Sequence, residues 1–329
     1  MRLSQNESFR EMLCAPIPRV LIAVCTHKRP IMLEACLSSL LGQETDYSFS
    51  HSIAVIDNDP AMSAHATVSV MALTSRETIV WYLHEPTRGI AKARNHALAF
   101  ARKNGYTHLA FIDDDEIAAP TWIKNLMHPD YLDTPILGGR KIMSYGSNIP
   151  EWAKPRPPRR PKPMAIEGEH VGSVATSNMR IGPQILNSAL KFDEAIGLGG
   201  GEDTDFVKRA LNLRHQVKHT NRAITYETAH PERMTIRGQA NRTFWYAAAN
   251  LRIDMRGNRW LGIRQIPSII GSFPHGLLTM ALGACIWPVR PDKGRRTILK
   301  GAKLIAKGQG YLAALVGHIP QTYRHTVGG

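Results

Sequence analysis

Three consecutive carboxylates, Asp113 to Asp115, directly follow an apolar segment, Thr107 to Ile112. Adjacent acids repel one another, and the end of a buried strand is a costly place to gather them. A divalent cation such as Mg²⁺ or Mn²⁺ removes that cost, because it takes oxygen ligands and commonly keeps a substrate phosphate as well. The alternative is a solvated acidic turn or a helix N-cap, since Asp stabilises the first turn of a helix. On these residues alone both interpretations stay open.

A second acidic cluster, Glu202 to Asp205, follows three consecutive glycines, Gly199 to Gly201. The carboxylates could simply cap the helix that the apolar spacing of the next residues predicts. The glycines favour a further role, because a run without side chains lets a backbone approach a ligand closely, which capping does not require.

Strand and helix patterns alternate through roughly the first 115 residues, and these elements must position the two clusters. Apolar runs at 19–25, 52–56, 78–83 and 107–112 are typical of buried parallel strands. The alternation predicts a mostly parallel sheet with helices on both faces, in which ligands bind at the carboxyl ends of the strands. Thr26, Asp57 and Asp113 stand at three such ends and suit the donors of a nucleoside. Neither GxGxxG nor a Walker A sequence is present, which argues against dinucleotide and P-loop sites.

Several motifs together resemble the family 2 inverting glycosyltransferases of the GT-A fold. The resemblance covers about residues 18 to 235, and the motifs occur in the family's order. They are VLIAVCTHKRP at 20–30, IAVIDND at 53–59, RGIAKARN at 88–95, FIDDD at 111–115, TSNMRI with Asn178, and FDEAIGLGGGEDTDF at 192–206.

The resemblance implies a nucleotide-diphosphate sugar donor, with UDP the expected nucleotide, and Mn²⁺ or Mg²⁺ as cofactor. It implies that Asp203 is the base that deprotonates the acceptor hydroxyl, with Glu202 positioning a sugar. It implies Asp115 as the direct metal ligand, assisted by Asp113 and His230. The residues it implies for nucleotide-sugar binding are Thr26, Arg29, Asp57, Arg94, Asp113 and Asp114. Arg94 as a helix-surface arginine and His230 as a plain surface histidine are the alternatives.

Length and composition bound the organisation of the chain. Its 329 residues suggest one large domain plus an extension. We expect an N-terminal tail at 1–17, which has no apolar leader, and a GT-A domain at 18–235, followed by a helical basic extension at 236–329. The GT-A domain divides into a nucleotide-binding half, 18–118, and an acceptor and catalytic half, 119–235. The four cysteines have no metal-ligand spacing, so free thiols in the cytoplasm are the simplest interpretation.

Two later segments are unusual in composition. The segment Pro150 to Pro163 has six prolines and five basic residues, which predicts an exposed loop, either a linker or a cationic loop near the site. The segment Ile266 to Val289 carries no formal charge, and its length would span a bilayer. Because its prolines should break it, we favour a re-entrant or interfacial hairpin over one spanning helix.

A basic stripe follows that apolar segment. Arg296, Lys300, Lys303 and Lys307 recur at helical spacing, with Ile298, Ala302 and Ile305 opposite. A basic amphipathic helix beside an apolar segment fits an anionic cytoplasmic leaflet. The alternative is a helix packed on the catalytic domain with a solvated basic face.

The sequence therefore predicts a metal-dependent inverting glycosyltransferase at the inner face of the plasma membrane, with a saccharide acceptor, expected to be lipid-linked, in polysaccharide synthesis. The net charge of +14 also raises a nucleic-acid-binding protein as an alternative. The aromatic content of 7%, with no interleaved aromatic and basic motif, argues against nucleic acid as a partner. A catalytically silent membrane scaffold is the third interpretation, and the intact acidic motifs weigh against it.

Overall fold

The computed structural model describes residues 17–46, 48–155 and 166–318. The predicted N-terminal tail with Cys14, most of the proline-rich loop and the last eleven residues lie outside the described residues. Within them, the strands in chain order are β1 Arg19–Thr26, β2 Ser50–Asp57, β3 Ile79–His84, β4 His108–Asp113, β5 Glu116–Ala118, β6 Ile136–Ser144, β7 Asn178–Ile181 and β8 Val217–Thr228. They form one sheet in the order β3-β2-β1-β4-β7-β6-β8-β5.

Helices flank this sheet and continue beyond it. The α-helices in chain order are α1 Pro30–Leu41, α2 His65–Thr74, α3 Ile90–Lys103, α4 Trp122–Leu126, α5 Pro183–Leu186, α6 Glu202–Asn212, α7 Ile236–Gly257, α8 Trp260–Ile263, α9 Ile266–Ile286 and α10 Pro291–Leu315. Short 3₁₀ helices occur at Pro129–Tyr131, Glu194–Ile196 and Pro231–Met234.

The first four strands are parallel, and their carboxyl ends are aligned. Thr26 at the end of β1 is paired with Asp57 at the end of β2, and Cys25 is paired with Asp113 at the end of β4. Alternate residues of β1 enter two cores, because successive side chains of a strand point to opposite faces. Leu21 packs in the core with α3 and α6, and Ile22 packs in the core with α1. The expected mostly parallel, two-faced sheet is confirmed.

Strand pairing changes direction at β7, which is antiparallel to both β4 and β6. Asn178 begins β7 and is buried. Its amide oxygen accepts a hydrogen bond from Trp122 Nε1 at 2.9 Å, and its amide nitrogen donates to the Ala223 carbonyl at 3.0 Å. These bonds join α4, β7 and β8, so the asparagine of the TSNMRI motif fixes the sheet.

The apolar segment from 266 onward forms one continuous helix, α9, so the prediction that its prolines break it is wrong. Pro267 lies in the first turn, where no intrahelical N–H bond is lost, and Pro288 follows the helix end. Pro274 lies inside the helix, which ordinarily costs about 3 kcal/mol. Close packing of α9 along α10 offsets this cost: a Cβ on Gly301 would lie 2.5 Å from the Gly276 carbonyl oxygen.

The apolar side of α10 packs against α9 and is therefore not free to enter a membrane. Ile305 lies over Gly276 and Ile298 lies over Gly283. The exposed apolar surface belongs instead to α9 and α8: the stretch Trp260–Ile286 is long and apolar enough to cross a membrane, and only 17% of its most apolar window is buried. Its exposed large side chains include Trp260, Ile263, Ile270, Leu277, Leu278 and Leu282.

Candidate functional site

The carboxyl ends of β1, β2 and β4 border a cavity of about 130 Å³. The start of α3 and the loop before α6 close its other side. The residues that line it are Cys25, Thr26, His27, Arg29, Asn58, Arg88, Ile90, Arg94, Asp113, Asp114 and Leu198. The cavity thus contains five of the residues predicted for nucleotide-sugar binding, at the sheet edge where the sequence predicts a ligand.

Asp114 is held by the end of β1 and the residue before α1. Its carboxylate accepts hydrogen bonds from Thr26 Oγ1 at 2.7 Å and from Arg29 Nη1 at 2.8 Å. Burial raises the pKa of Asp114 to about 6, although Arg29 lowers it. These bonds fix the loop after β4, and Arg29 Nη1 also lies 3.3 Å from Asp115 Oδ2, so one guanidinium contacts both carboxylates.

Arg94 connects the two acidic clusters. Its guanidinium forms an ion pair with Glu202, the first residue of α6, and lies 3.7 Å from Asp113 Oδ1. Glu202 is buried, and this burial raises its pKa, although Arg94 opposes the rise and Asp203 adds to it. The pair joins residues 108 positions apart and ties the start of α6 to the cavity residue Arg94. The helix-surface alternative for Arg94 is wrong, because the side chain is buried.

Asp203 follows Glu202 in the first turn of α6 and is more accessible than it. It is half-buried, and its Oδ1 accepts a hydrogen bond from the Thr204 backbone nitrogen at 2.6 Å. Because Asp203 is partly accessible to solvent, whereas Glu202 is buried, its carboxylate can contact an acceptor hydroxyl. Three acids occupy this first turn, where they favour the helix dipole, but the N-cap residue is Gly201 and no side chain caps α6.

One of the three glycines before this helix, Gly201, packs against another helix. Gly200 and Gly201 have φ angles of +74° and +90°, a region that favours glycine. A Cβ on Gly201 would lie 2.7 Å from Ile253 Cδ1 and 3.3 Å from Ala249 Cβ. The turn that carries the second acidic cluster therefore packs on α7.

The residues suggested for a metal lie near one another without forming a closed site. Asp115 Oδ2 is 3.9 Å from His230 Nε2, and the Asp113 carboxylate is partly exposed at the strand end. Within the described residues no three His, Cys, Asp or Glu side chains are arranged as a metal cluster. Two or three oxygen and imidazole donors suit Mg²⁺ or Mn²⁺ when substrate phosphates and water supply the rest. The donor set thus fits a cation shared with the substrate.

Asp57 lies beneath the cavity rather than on its surface. The side chain is fully buried, and its carboxylate accepts from the Ala64 backbone nitrogen at 2.8 Å and from the Tyr82 hydroxyl at 3.1 Å. The neighbouring Asn58 reaches the cavity. It donates to the Thr87 carbonyl at 2.8 Å and accepts from the Gly89 nitrogen at 2.7 Å, which ties β2 to the start of α3. Its position directly after a strand end is the signal that could have identified it.

Sequence reasoning also missed a cluster of three charged side chains near Asp113, of which the two glutamates are buried. Lys141 of β6 forms ion pairs with Glu116 and, at 2.8 Å, with Glu227 of β8. Burial raises the pKa of Glu116 to about 8, with Asp113 adding to the rise and Lys141 opposing it. Lys141 lies between the FIDDD and TSNMRI motifs, and no motif marks it. The group joins three strands beside the metal candidates.

Comparison with known proteins identifies a family over the part of the chain that carries the strand-end residues. Residues 21–180 match the model of glycosyl transferase family 2. Succinoglycan biosynthesis protein ExoM of Rhizobium meliloti is 30% identical over 188 residues. That match spans 56% of this chain and 59% of the relative, so somewhat over half of each protein is compared.

Solved structures share the fold at low sequence identity. A mannosyltransferase of Pyrobaculum calidifontis, in complex with GDP-Man and Mn²⁺, superposes with a TM-score of 0.60 at 15% identity, covering 94% of this chain and 93% of that one. GalNAc-T7 with UDP, GalNAc and Mn²⁺ has a TM-score of 0.51 at 12% identity, covering 71% of this chain and 51% of that one. These likenesses concern the fold.

Proposed function

The chain belongs to glycosyl transferase family 2 through residues 21–180, and we propose that it transfers a sugar, with inversion, from a nucleotide-diphosphate sugar to a saccharide hydroxyl. The observation that carries this proposal is the position of Arg94 between Asp113 and Glu202. Through it, the acidic cluster at the end of β4, which lines the cavity, is joined to the cluster at the start of α6. A group-transfer site needs both, because one end must hold the leaving group and the other must activate the acceptor.

In the proposed reaction the acceptor oxygen forms a bond to the anomeric carbon as the bond from that carbon to the phosphate oxygen breaks. The nucleoside diphosphate departs with the electron pair, and the acceptor proton moves to the Asp203 carboxylate. Arg94 holds Glu202 beside Asp203, so that the half-exposed acid faces the acceptor while the buried acid fixes the turn. Thr26 and Arg29 orient Asp114 and thereby the loop that carries the donor-binding carboxylates.

Asp115, with Asp113 and His230, would hold Mn²⁺ or Mg²⁺. When bound, the ion supplies positive charge that stabilises the departing diphosphate. Two fold neighbours contain Mn²⁺ together with a nucleotide or nucleotide sugar, which supports this part of the proposal. We expect UDP as the nucleotide, and the GDP-Man complex makes GDP the necessary comparison.

We further propose that the acceptor is a lipid-linked saccharide in polysaccharide assembly, met at the inner face of the plasma membrane. The name of the succinoglycan relative supports the pathway class. The uncharged, exposed face of α9 and the net charge of +14 support contact with anionic lipid.

Two substitutions test the reaction. Asp203→Asn should keep nucleotide-sugar binding and lower turnover by about 10²-fold or more, because the proton acceptor is lost. Asp115→Asn should remove the metal dependence of nucleotide binding. Release of UDP or GDP from a panel of nucleotide sugars measures turnover, and calorimetry with and without Mn²⁺ measures binding.

Asp130→Asn, an exposed acid outside the cavity, is the matched control. Normal turnover of the Asp203 variant would move the base elsewhere. Undiminished UDP and GDP binding to the wild-type protein without metal would remove the metal from the proposal.

A further inference from the structure

A second concave site shares no lining residue with the strand-end cavity. It is a groove of about 610 Å³ between α10, the first turns of α7 and residues 152–155. This volume lies within the range of ligand sites in proteins, roughly 300–1,000 Å³. We call it the basic groove, because six cationic side chains line it: Lys154, Lys293, Arg296, Lys300, Lys303 and Lys307.

The charges of the basic groove are poorly balanced within the protein. None of its lining residues is acidic. The adjacent Glu151 pairs with Lys154 at 2.5 Å and is exposed. Lys303 is half-buried and donates to Gln239 Oε1 at 2.7 Å, and burial together with Arg242 lowers its pKa. Cations gathered in a partly desolvated groove repel one another, and an anion would remove that cost.

The walls between these charges are apolar. Trp152, Ala153, Pro155, Leu299 and Leu304 line the same groove. A free inorganic anion would leave these surfaces unused, whereas an anionic group attached to an apolar chain would contact both kinds of wall. The lining therefore matches an amphipathic ligand with a phosphate or diphosphate group.

The basic groove also adjoins the corner of the catalytic edge that carries His230. Ala153 packs with Ala229, the residue before His230, in a small apolar cluster. Gln239 Nε2 donates to the Ala153 carbonyl at 3.1 Å, which fixes the loop against α7. One wall of the groove therefore contacts the residues directly after β8, next to the metal candidate His230.

We propose that the basic groove binds the phosphate or diphosphate group of a lipid that carries the saccharide acceptor, so that the saccharide extends toward Asp203. The claim that the bound lipid is the acceptor rests on the proposed function. The claim that the groove binds a lipid diphosphate does not. The glycine side of α10 packs on α9, which keeps the cationic side facing the groove.

Farnesyl diphosphate is a suitable probe, titrated calorimetrically into the full-length protein in the presence of EDTA. Without metal, the strand-end site should contribute little diphosphate binding. We expect Lys300→Gln/Lys303→Gln to weaken binding of the probe about tenfold or more, since each lost charged contact weakens an ionic ligand substantially. Inorganic pyrophosphate should bind more weakly than the probe, and farnesol should not compete.

The control variant Lys103→Gln/Lys191→Gln has the same net charge as the groove variant, and it changes exposed lysines outside the groove. Equal weakening in this control, or unchanged binding in the groove variant with a native unfolding transition, would overturn the proposal. Vesicles of phosphatidylcholine with phosphatidylglycerol separate the sources of phosphate. If the groove variant loses vesicle binding alone, and farnesyl diphosphate does not compete with the vesicles, the groove binds bulk lipid and the acceptor assignment is wrong.

The release of nucleotide from nucleotide sugars with Mn²⁺ is measured separately on the wild-type protein. Its absence would contradict the proposed function and leave the diphosphate result standing. Asp115→Asn should impair metal-dependent UDP binding without altering the binding of farnesyl diphosphate in EDTA, which distinguishes the two sites.

Discussion

At the scale of single residues, the buried ion pair between Arg94 and Glu202 is the contact on which the proposed site depends. Both side chains are nearly inaccessible to solvent, and each compensates the buried charge of the other. Removing one partner of a buried pair is far more harmful than replacing both, because an uncompensated charge stays in the interior.

We therefore predict that Arg94→Met lowers the free energy of unfolding by about 3–5 kcal/mol. The double variant Arg94→Met/Glu202→Met should recover most of this loss and remain inactive, because the ion pair that joins α6 to the cavity residue Arg94 is lost. Urea unfolding and nucleotide release measure the two effects, with the exposed Arg76→Met as control. A double variant no more stable than the single one would contradict the coupling.

At the scale of elements, β4 carries a buried histidine behind the acidic cluster. Burial and the nearby Arg180 together lower the pKa of His108 from 6.5 to about 4, although the Leu132 carbonyl and Asp133 oppose the change. The folded protein thus holds His108 neutral in a pH range where the unfolded chain protonates it. Its contribution to stability is present above pH 6.5 and is lost as the pH falls toward 4.

We predict that His108→Gln flattens the pH dependence of unfolding in this window by roughly 3 kcal/mol, corresponding to the pKa shift. Gln can still donate to the Leu132 carbonyl, which His108 Nε2 contacts at 3.2 Å. Urea unfolding of both proteins between pH 4 and 7 provides the measurement. Parallel curves for the two proteins would show that His108 is not the responsible group.

The contact between α9 and α10 depends on glycine. We predict that Gly301→Ala destabilises the protein, because the new Cβ would meet the backbone at Gly276 and Met280, which cannot move aside. Gly271→Ala is the matched control: it lies in α9 with nothing within 4 Å of its Cβ position, and alanine favours the helix. Opposite shifts of the melting temperature are expected, and equal shifts would contradict tight packing at Gly301.

The sequence predicted the parallel half of the fold well, because buried strands are local apolar runs that end at recognisable polar residues. It also predicted Arg94, Asp113 and Glu202 at one site. It missed Lys141 and Asn58, whose roles arise from contacts between distant segments. It misjudged α9 because proline spacing was weighed without the glycine contacts that compensate it, and it missed the partner of Gly201 because α7 lies some fifty residues further along the chain.

At the scale of the whole molecule, apolar and cationic surfaces occur together on the C-terminal helices. The apolar face of α9 lies on one element, and most of the cationic side chains of the basic groove lie on the next, α10. This arrangement differs from a single amphipathic helix lying on a membrane, since α10 is packed on two sides.

We predict that Leu278→Glu reduces binding to vesicles containing phosphatidylglycerol several-fold, because a charge on the exposed face of α9 opposes burial in the lipid interface. Leu73→Glu changes an equally exposed leucine on α2 and should have little effect. Co-sedimentation with vesicles measures both. Equal loss in the two variants would indicate nonspecific charge repulsion, and unchanged binding of Leu278→Glu would remove α9 from the membrane contact.

The packing of Gly201 on Ala249 and Ile253 sets an order of events during synthesis. All residues of the sheet precede α7 in the chain, so the nucleotide-binding half can fold while the ribosome is still adding the helices. The turn that carries Asp203 gains its support only when α7 has emerged and docked. In the proposed reaction, a nascent chain is therefore expected to bind nucleotide before it can transfer sugar, because the support for the Asp203 turn arrives only with the C-terminal helices.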